Sequence, residues 1–102
     1  MAPRIDIKRA RIRTLRSRLD NALTRRNLTA AVEHTALLER LDIENQARWA
    51  QRLGDLYRRL GQLQQAAHSY QRAADYYARG GLARHAAAMV QTKLSTWPAT
   101  PL

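Results

Sequence analysis

Residues 56–71 (LYRRLGQLQQAAHSYQ) align without gaps on residues 76–91 (YYARGGLARHAAAMVQ), and this internal copy narrows the choice of fold more than any other feature. The shared positions are Tyr57 with Tyr77, Arg59 with Arg79, Gly61 with Gly81, Ala66 with Ala86, Ala67 with Ala87 and Gln71 with Gln91. In each copy a glycine marks a turn and an alanine pair follows in the next apolar segment. Small residues on two antiparallel helices let the backbones approach, and a large aromatic a turn away fills the space beside them. A unit repeated in this way predicts a helical array whose members cover one another's apolar faces.

The rest of the chain has the same character. Ala, Leu, Arg and Gln dominate, all strong helix formers, and only three prolines and four glycines interrupt them. Phe is absent and β-branched residues are scattered, which argues against strands. Apolar spacing of three, four or seven predicts five helices. The first runs over 4–26 with Ile5, Ile12, Leu15, Leu19, Ala22 and Leu23 in one stripe, and Asn27 is expected to end it in the left-handed conformation. The second spans 29–41, with Ala31, Val32, Leu37, Leu38 and Leu41 inward. Asp42 and Asn45 offer capping oxygens for the third, over 45–60, which buries Trp49, Ala50, Leu53, Leu56, Tyr57 and Leu60. The fourth covers 62–79 with Leu63, Ala66, Ala67, Tyr70, Ala73, Ala74 and Tyr77 on its apolar faces. The fifth covers 82–95, before Pro98. Short connections make neighbours antiparallel in a single domain over 1–98, and the tail 99–102 is expected to fray.

Leu53, Gly54, Tyr57, Gly61, Ala66, Tyr70 and Ala73 resemble the tetratricopeptide repeat signature in order and spacing. The best match covers 45–79, with Gly54 expected to face Ala66. Trp49 is displaced by one from the usual tryptophan position, which Ala50 holds, and Ala78 stands where the closing proline is usual. Tyr77, Gly81, Ala86 and Pro98 begin a second match over 70–98 that shares the fourth helix, with Val90 and Lys93 departing from it. Leu23, Asn27, Ala31 and Leu38 outline a degenerate repeat over 4–43. The resemblance implies an all-α, right-handed helical-repeat solenoid of about five antiparallel helices, serving as a non-enzymatic protein-binding scaffold or adaptor.

The formal net charge is +10, and residues 1–26 carry nine basic groups against Asp6 and Asp20. Such a balance draws acidic surfaces. Nearly all of the cations are arginines, which fork onto carboxylates and phosphates; a GC-rich bacterial genome would favour the same residue. Carried from the family's groove, the candidate protein-binding residues are Arg48, Gln51, Arg52, Asp55, Arg58 and Arg59 on the third helix, with His68, Gln71, Arg72, Asp75 and Arg79 on the fourth. They would take an acidic protein segment. No full set of Lys and Asn matches the subtype that clamps a carboxylate tail. A second reading uses Arg4, Lys8, Arg9, Arg11, Arg13, Arg16 and Arg18 of the first helix to dock on nucleic acid or an anionic membrane, although no aromatic interleaves with them to stack on bases. A third makes the chain a subunit of a homo-oligomer, joined through Ala86, Met89, Val90, Leu94 and Trp97, because no polar helix follows to close the array.

Enzyme chemistry finds little support. His34, His68 and His85 stand apart from any second ligand at metal-binding spacing, there is no cysteine, and no glycine-rich phosphate loop follows a strand. No cofactor or metal is expected. With no continuous apolar segment after the basic start and no cysteine, a cytoplasmic location is the expectation.

Overall fold

The computed structural model describes residues 4–98, with side chains from residue 7 onward. Expectations for the Arg4 and Ile5 side chains and for the tail 99–102 fall outside this range. Five helices follow one another: α1 (Arg4–Thr24), α2 (Leu28–Leu41), α3 (Gln46–Arg59), α4 (Leu63–Arg79) and α5 (Ala83–Thr96), with a 3-10 turn at Ile43–Asn45 before α3. Among the described residues there is no strand. Each helix packs on its chain neighbours. The result is a slab of 59 × 35 × 17 Å with a Cα radius of gyration of 14.8 Å, longer than the roughly 13 Å of a rounded domain this size.

The turns follow from the sequence, with two exceptions. Gly61 and Gly81 adopt φ of +77° and +78°, the conformation that ends a helix without a Cβ penalty. At the first turn, however, Arg26 and not Asn27 takes the left-handed conformation (φ 57°). Asn27 is used instead as the N-cap of α2, its Oδ1 accepting from the Ala30 amide at 3.1 Å. Asp42 and Asn45 likewise do not cap α3 with their side chains. Asp42 is buried and accepts from the Trp49 indole Nε1–H at 2.9 Å and from Asn45 Nδ2 at 3.0 Å, which pins the α2–α3 corner.

The core has two clusters, and α3 contributes to both. Leu15, Leu19 and Ala22 of α1 meet Ala31 and Leu38 of α2 and Trp49 and Leu56 of α3. Ala50 of α3 joins Ala66, Tyr70, Ala73, Ala74 and Tyr77 of α4 and Met89 of α5. The displaced tryptophan thus has its own use. Trp49 fills the wide space toward α1 and α2, while its neighbour Ala50 lets α4 come close. Two residues expected to point inward, Leu37 and Leu63, are exposed, because the buried arcs of α2 and α4 are narrower than their apolar patterns.

Gly54 marks a close crossing of α3 and α4. An ideal Cβ on Gly54 would lie 2.7, 2.8 and 2.9 Å from Cε1, Cδ1 and Cζ of Tyr70, so the group nearest the glycine is this ring and not Ala66. Tyr70 is fully buried and its phenol donates to Asp55. Burial first, then the bond to Asp55, holds its pKa above the ordinary phenol range. Gly54 is the recess into which the largest fully buried side chain fits.

Candidate functional site

A surface helix shows its non-packing face to solvent, and on α1 and α3 those faces are arginine-rich. The stripe of α1 that packs on α2 and α3 leaves Arg9, Arg13 and Arg16 on an adjoining face, at the i, i+4, i+7 spacing of neighbours along a helix. Arg48 and Arg52 have the same relation on α3. The two faces meet along a shallow trough. Arg16, Arg48 and Arg52 line one cleft of about 420 Å³ together with Asn45, Trp49, Gln51 and Asp55. Toward the α1 N-terminus an adjoining cleft of about 570 Å³ is lined by Arg9, Ile12, Arg13, Arg16, Asp42 and Asn45. A smaller notch of about 140 Å³ in the opposite direction is lined by Arg52, Asp55 and Arg59 beside Leu19 and Leu23.

Trp49 organises the centre. The Arg16 guanidinium lies 5.6 Å and that of Arg52 5.5 Å from its ring. Its indole nitrogen is fixed by buried Asp42. Each cation–π contact contributes about 0.5–1 kcal/mol at a site of this exposure, enough to bias a long side chain toward one orientation. Among the described residues, Arg16, Arg48, Arg52 and Arg59 have no carboxylate within ion-pair distance, the one such pair being Arg72 with Glu39. The two acids in the trough are already used as acceptors, Asp55 by the Tyr70 phenol and Asp42 by Trp49 and Asn45. The clefts thus hold six arginines, Arg9, Arg13, Arg16, Arg48, Arg52 and Arg59, against the two carboxylates of Asp42 and Asp55.

The groove residues read from the sequence divide. Arg48, Gln51, Arg52, Asp55 and Arg59 border the clefts just described. Arg58 sits 6.0 Å from the Tyr70 ring. Residues of α4 lie elsewhere. Arg72 is committed to α2, with Nε 2.9 Å from Glu39 Oε2 and a second nitrogen 3.0 Å from Oε1, and the Tyr76 phenol donates to the same carboxylate at 3.0 Å. The hydrogen bond to Glu39 raises the Arg72 pKa, and burial followed by Glu39 raises that of Tyr76. This is an α2–α4 clasp. Gln71 donates to Asp75 and accepts from Lys93 of α5 at 2.7 Å. His68 is exposed, and Arg79 lies 5.3 Å over the Tyr76 ring.

Of the first-helix set, Arg9, Arg13 and Arg16 join the trough, while Lys8 borders a neighbouring cleft with Arg9. Arg11 and Arg18 are exposed and border none of these clefts. Ile12, Leu15, Leu19, Ala22 and Leu23 of the α1 apolar stripe pack in the core, while Ile7 of the same helix is exposed. No helix among the described residues is long and apolar enough to cross a membrane. In α5 the expected association face splits: Met89 is buried and Ala86 packs beside it in the core, whereas Val90, Leu94 and Trp97 are exposed.

Sequence reasoning missed the part of Arg16, which one-helix patterns assign to a different surface from Arg52. It also missed Trp49 as the residue between them. The signal available was the tryptophan itself, one residue before the position where the repeat signature has it. No protein-family model, curated protein or solved structure matches the chain.

Proposed function

We propose that this protein is a non-enzymatic helical-repeat scaffold, of the tetratricopeptide type, that holds an acidic segment of another protein in the trough between α1 and α3. One observation carries the reading: Arg16, Arg48 and Arg52, from helices far apart in sequence, border one cleft around a fixed tryptophan, with no carboxylate within ion-pair distance among the described residues. Guanidinium groups held in this way engage carboxylates by paired, charge-assisted hydrogen bonds. A cleft open along its length accepts an extended chain and not an enclosed small molecule. The alternation of α1/α3 contacts with the α2–α4 clasp supports a two-layer repeat stack, in which a groove along one layer is the natural binding surface.

The test is affinity capture from the native host after nuclease treatment, with cross-links mapped by mass spectrometry. Recovery of one protein through an acidic segment, cross-linked near residues 9–16 and 48–59, supports the reading. Loss of all captured material on nuclease treatment assigns the basic surface to nucleic acid instead.

A further inference from the structure

Beyond the arginine trough, two turns at one end of the slab leave large aliphatic side chains in water. Ile43, in the turn before α3, is 63% exposed, and Leu82, in the turn before α5, is 47% exposed. They border a single cleft of about 550 Å³ that also takes in Tyr76 and Tyr77, with Arg48 and Arg79 as its cations and Glu44 as its acid. Both tyrosine hydroxyls are already engaged, Tyr76 with Glu39 and Tyr77 with Gln51; Tyr77 is buried in the core, so the half-buried Tyr76 ring is the main aromatic surface at the cleft. Arg79 is held over the Tyr76 ring.

This cleft adjoins the trough. Asn45 and Arg48 border both it and the cleft of Arg16 and Arg52. Asn45 is itself fixed by its bond to Asp42. A chain lying in the trough that passes the start of α3 therefore arrives between Ile43 and Leu82. Exposed aliphatics with aromatic surface between them and cations at the rim match the anatomy of an interface pocket, an apolar centre with a polar border.

We infer that this cleft is an anchor site for one large apolar side chain of the same acidic segment, which thereby selects among acidic partners. The inference rests on the trough reading, and charge decides the occupant: the net +10 of the chain and the two arginines of the cleft oppose a second copy and favour an acidic chain. Arginines supply attraction to any acidic segment. The Ile43–Leu82 cleft supplies discrimination.

The experiment uses fluorescein-labelled Glu/Ser-rich dodecapeptides carrying one Leu at successive positions, each paired with its Ala counterpart, and fluorescence anisotropy against the full chain. At one or a few positions Leu is expected to bind about tenfold more tightly than Ala, the effect of burying one such side chain. Ile43→Gln and Leu82→Gln, made singly at exposed turn positions and checked by circular dichroism, should each remove most of that gain while leaving the Ala peptide's affinity within about twofold. A gain below about twofold at every position, or one that survives both substitutions, overturns the anchor site and leaves the trough standing. Failure of every acidic peptide to bind overturns the trough reading and the anchor with it. So does tighter binding of single-stranded DNA through the same arginines.

Discussion

Replacing Gly54 with alanine should destabilise the protein, although in an ordinary helix interior the same change stabilises it. Alanine is favoured over glycine within a helix by about 0.8–1 kcal/mol. Against this, the new methyl would fall 2.7–2.9 Å from three carbons of the Tyr70 ring, where ordinary contact begins near 3.4 Å. The ring cannot easily yield. It is fully buried, its hydroxyl is held by Asp55, and the Arg58 guanidinium lies 6.0 Å from it. Overpacking of a well-filled core costs about 1–3 kcal/mol, and a pinned neighbour puts Gly54 in the upper half of that range. The net loss is about 1–2 kcal/mol, or roughly 5–10 °C in Tm for a domain of this size. Thermal unfolding followed at 222 nm measures it. Gly80→Ala is the control, since Gly80 has negative φ and its added Cβ would meet only backbone oxygens at an ordinary 3.6 Å. A Gly54→Ala protein that melts with or above the parent would refute the packing of α4 on α3 described here.

Three further outcomes follow from the same structure. Glu39→Ala leaves Arg72 and the Tyr76 phenol without their shared acceptor and should cost about 1–3 kcal/mol by urea denaturation; this is less than for a fully buried pair, because the Arg72 side chain is 42% exposed. Tyr70 and Tyr76 both have raised pKa values, so the fold favours their protonated forms. That stabilisation is complete below the ordinary phenol value of about 10 and declines as pH rises above it, because the unfolded chain ionises first. Tm should therefore fall from pH 10 upward, with a shallower fall in Tyr70→Phe; an unchanged slope in that variant contradicts the assignment. Arg26→Gly relieves a non-glycine residue at φ 57° and should raise stability by up to about 1 kcal/mol, whereas a loss would mean that the Arg26 side chain has a stabilising role.

The helices were legible because local rules decide them: apolar residues at helical spacing, and Gly61 and Gly81 at breaks where left-handed backbone is needed. Where two local rules competed, the sequence could not rank them. Asn27 suits both a left-handed stop and an N-cap, and the cap prevailed, leaving Arg26 in the strained position. Leu37 and Leu63 fit the apolar pattern of their helices, but the width of a buried arc depends on how many neighbours a helix has. The binding surface was half legible. Arg48 and Arg52 are read from α3 alone, whereas Arg16 belongs beside them only once α1 has packed on α2 and α3. Arg72 looked like a free groove residue because its partner Glu39 lies in a different helix and is nearly buried.

The claim that an acidic segment is held between α1 and α3 is tested most directly by comparing two charge reversals of equal size. Arg16→Glu/Arg48→Glu/Arg52→Glu alters the trough, and Arg25→Glu/Arg40→Glu/Arg84→Glu alters exposed arginines outside it. Anisotropy titration with a Glu-rich dodecapeptide should show the trough variant binding at least about tenfold more weakly than the control variant. Equal losses in the two would mean that net charge alone attracts the peptide, and the trough would not be its site.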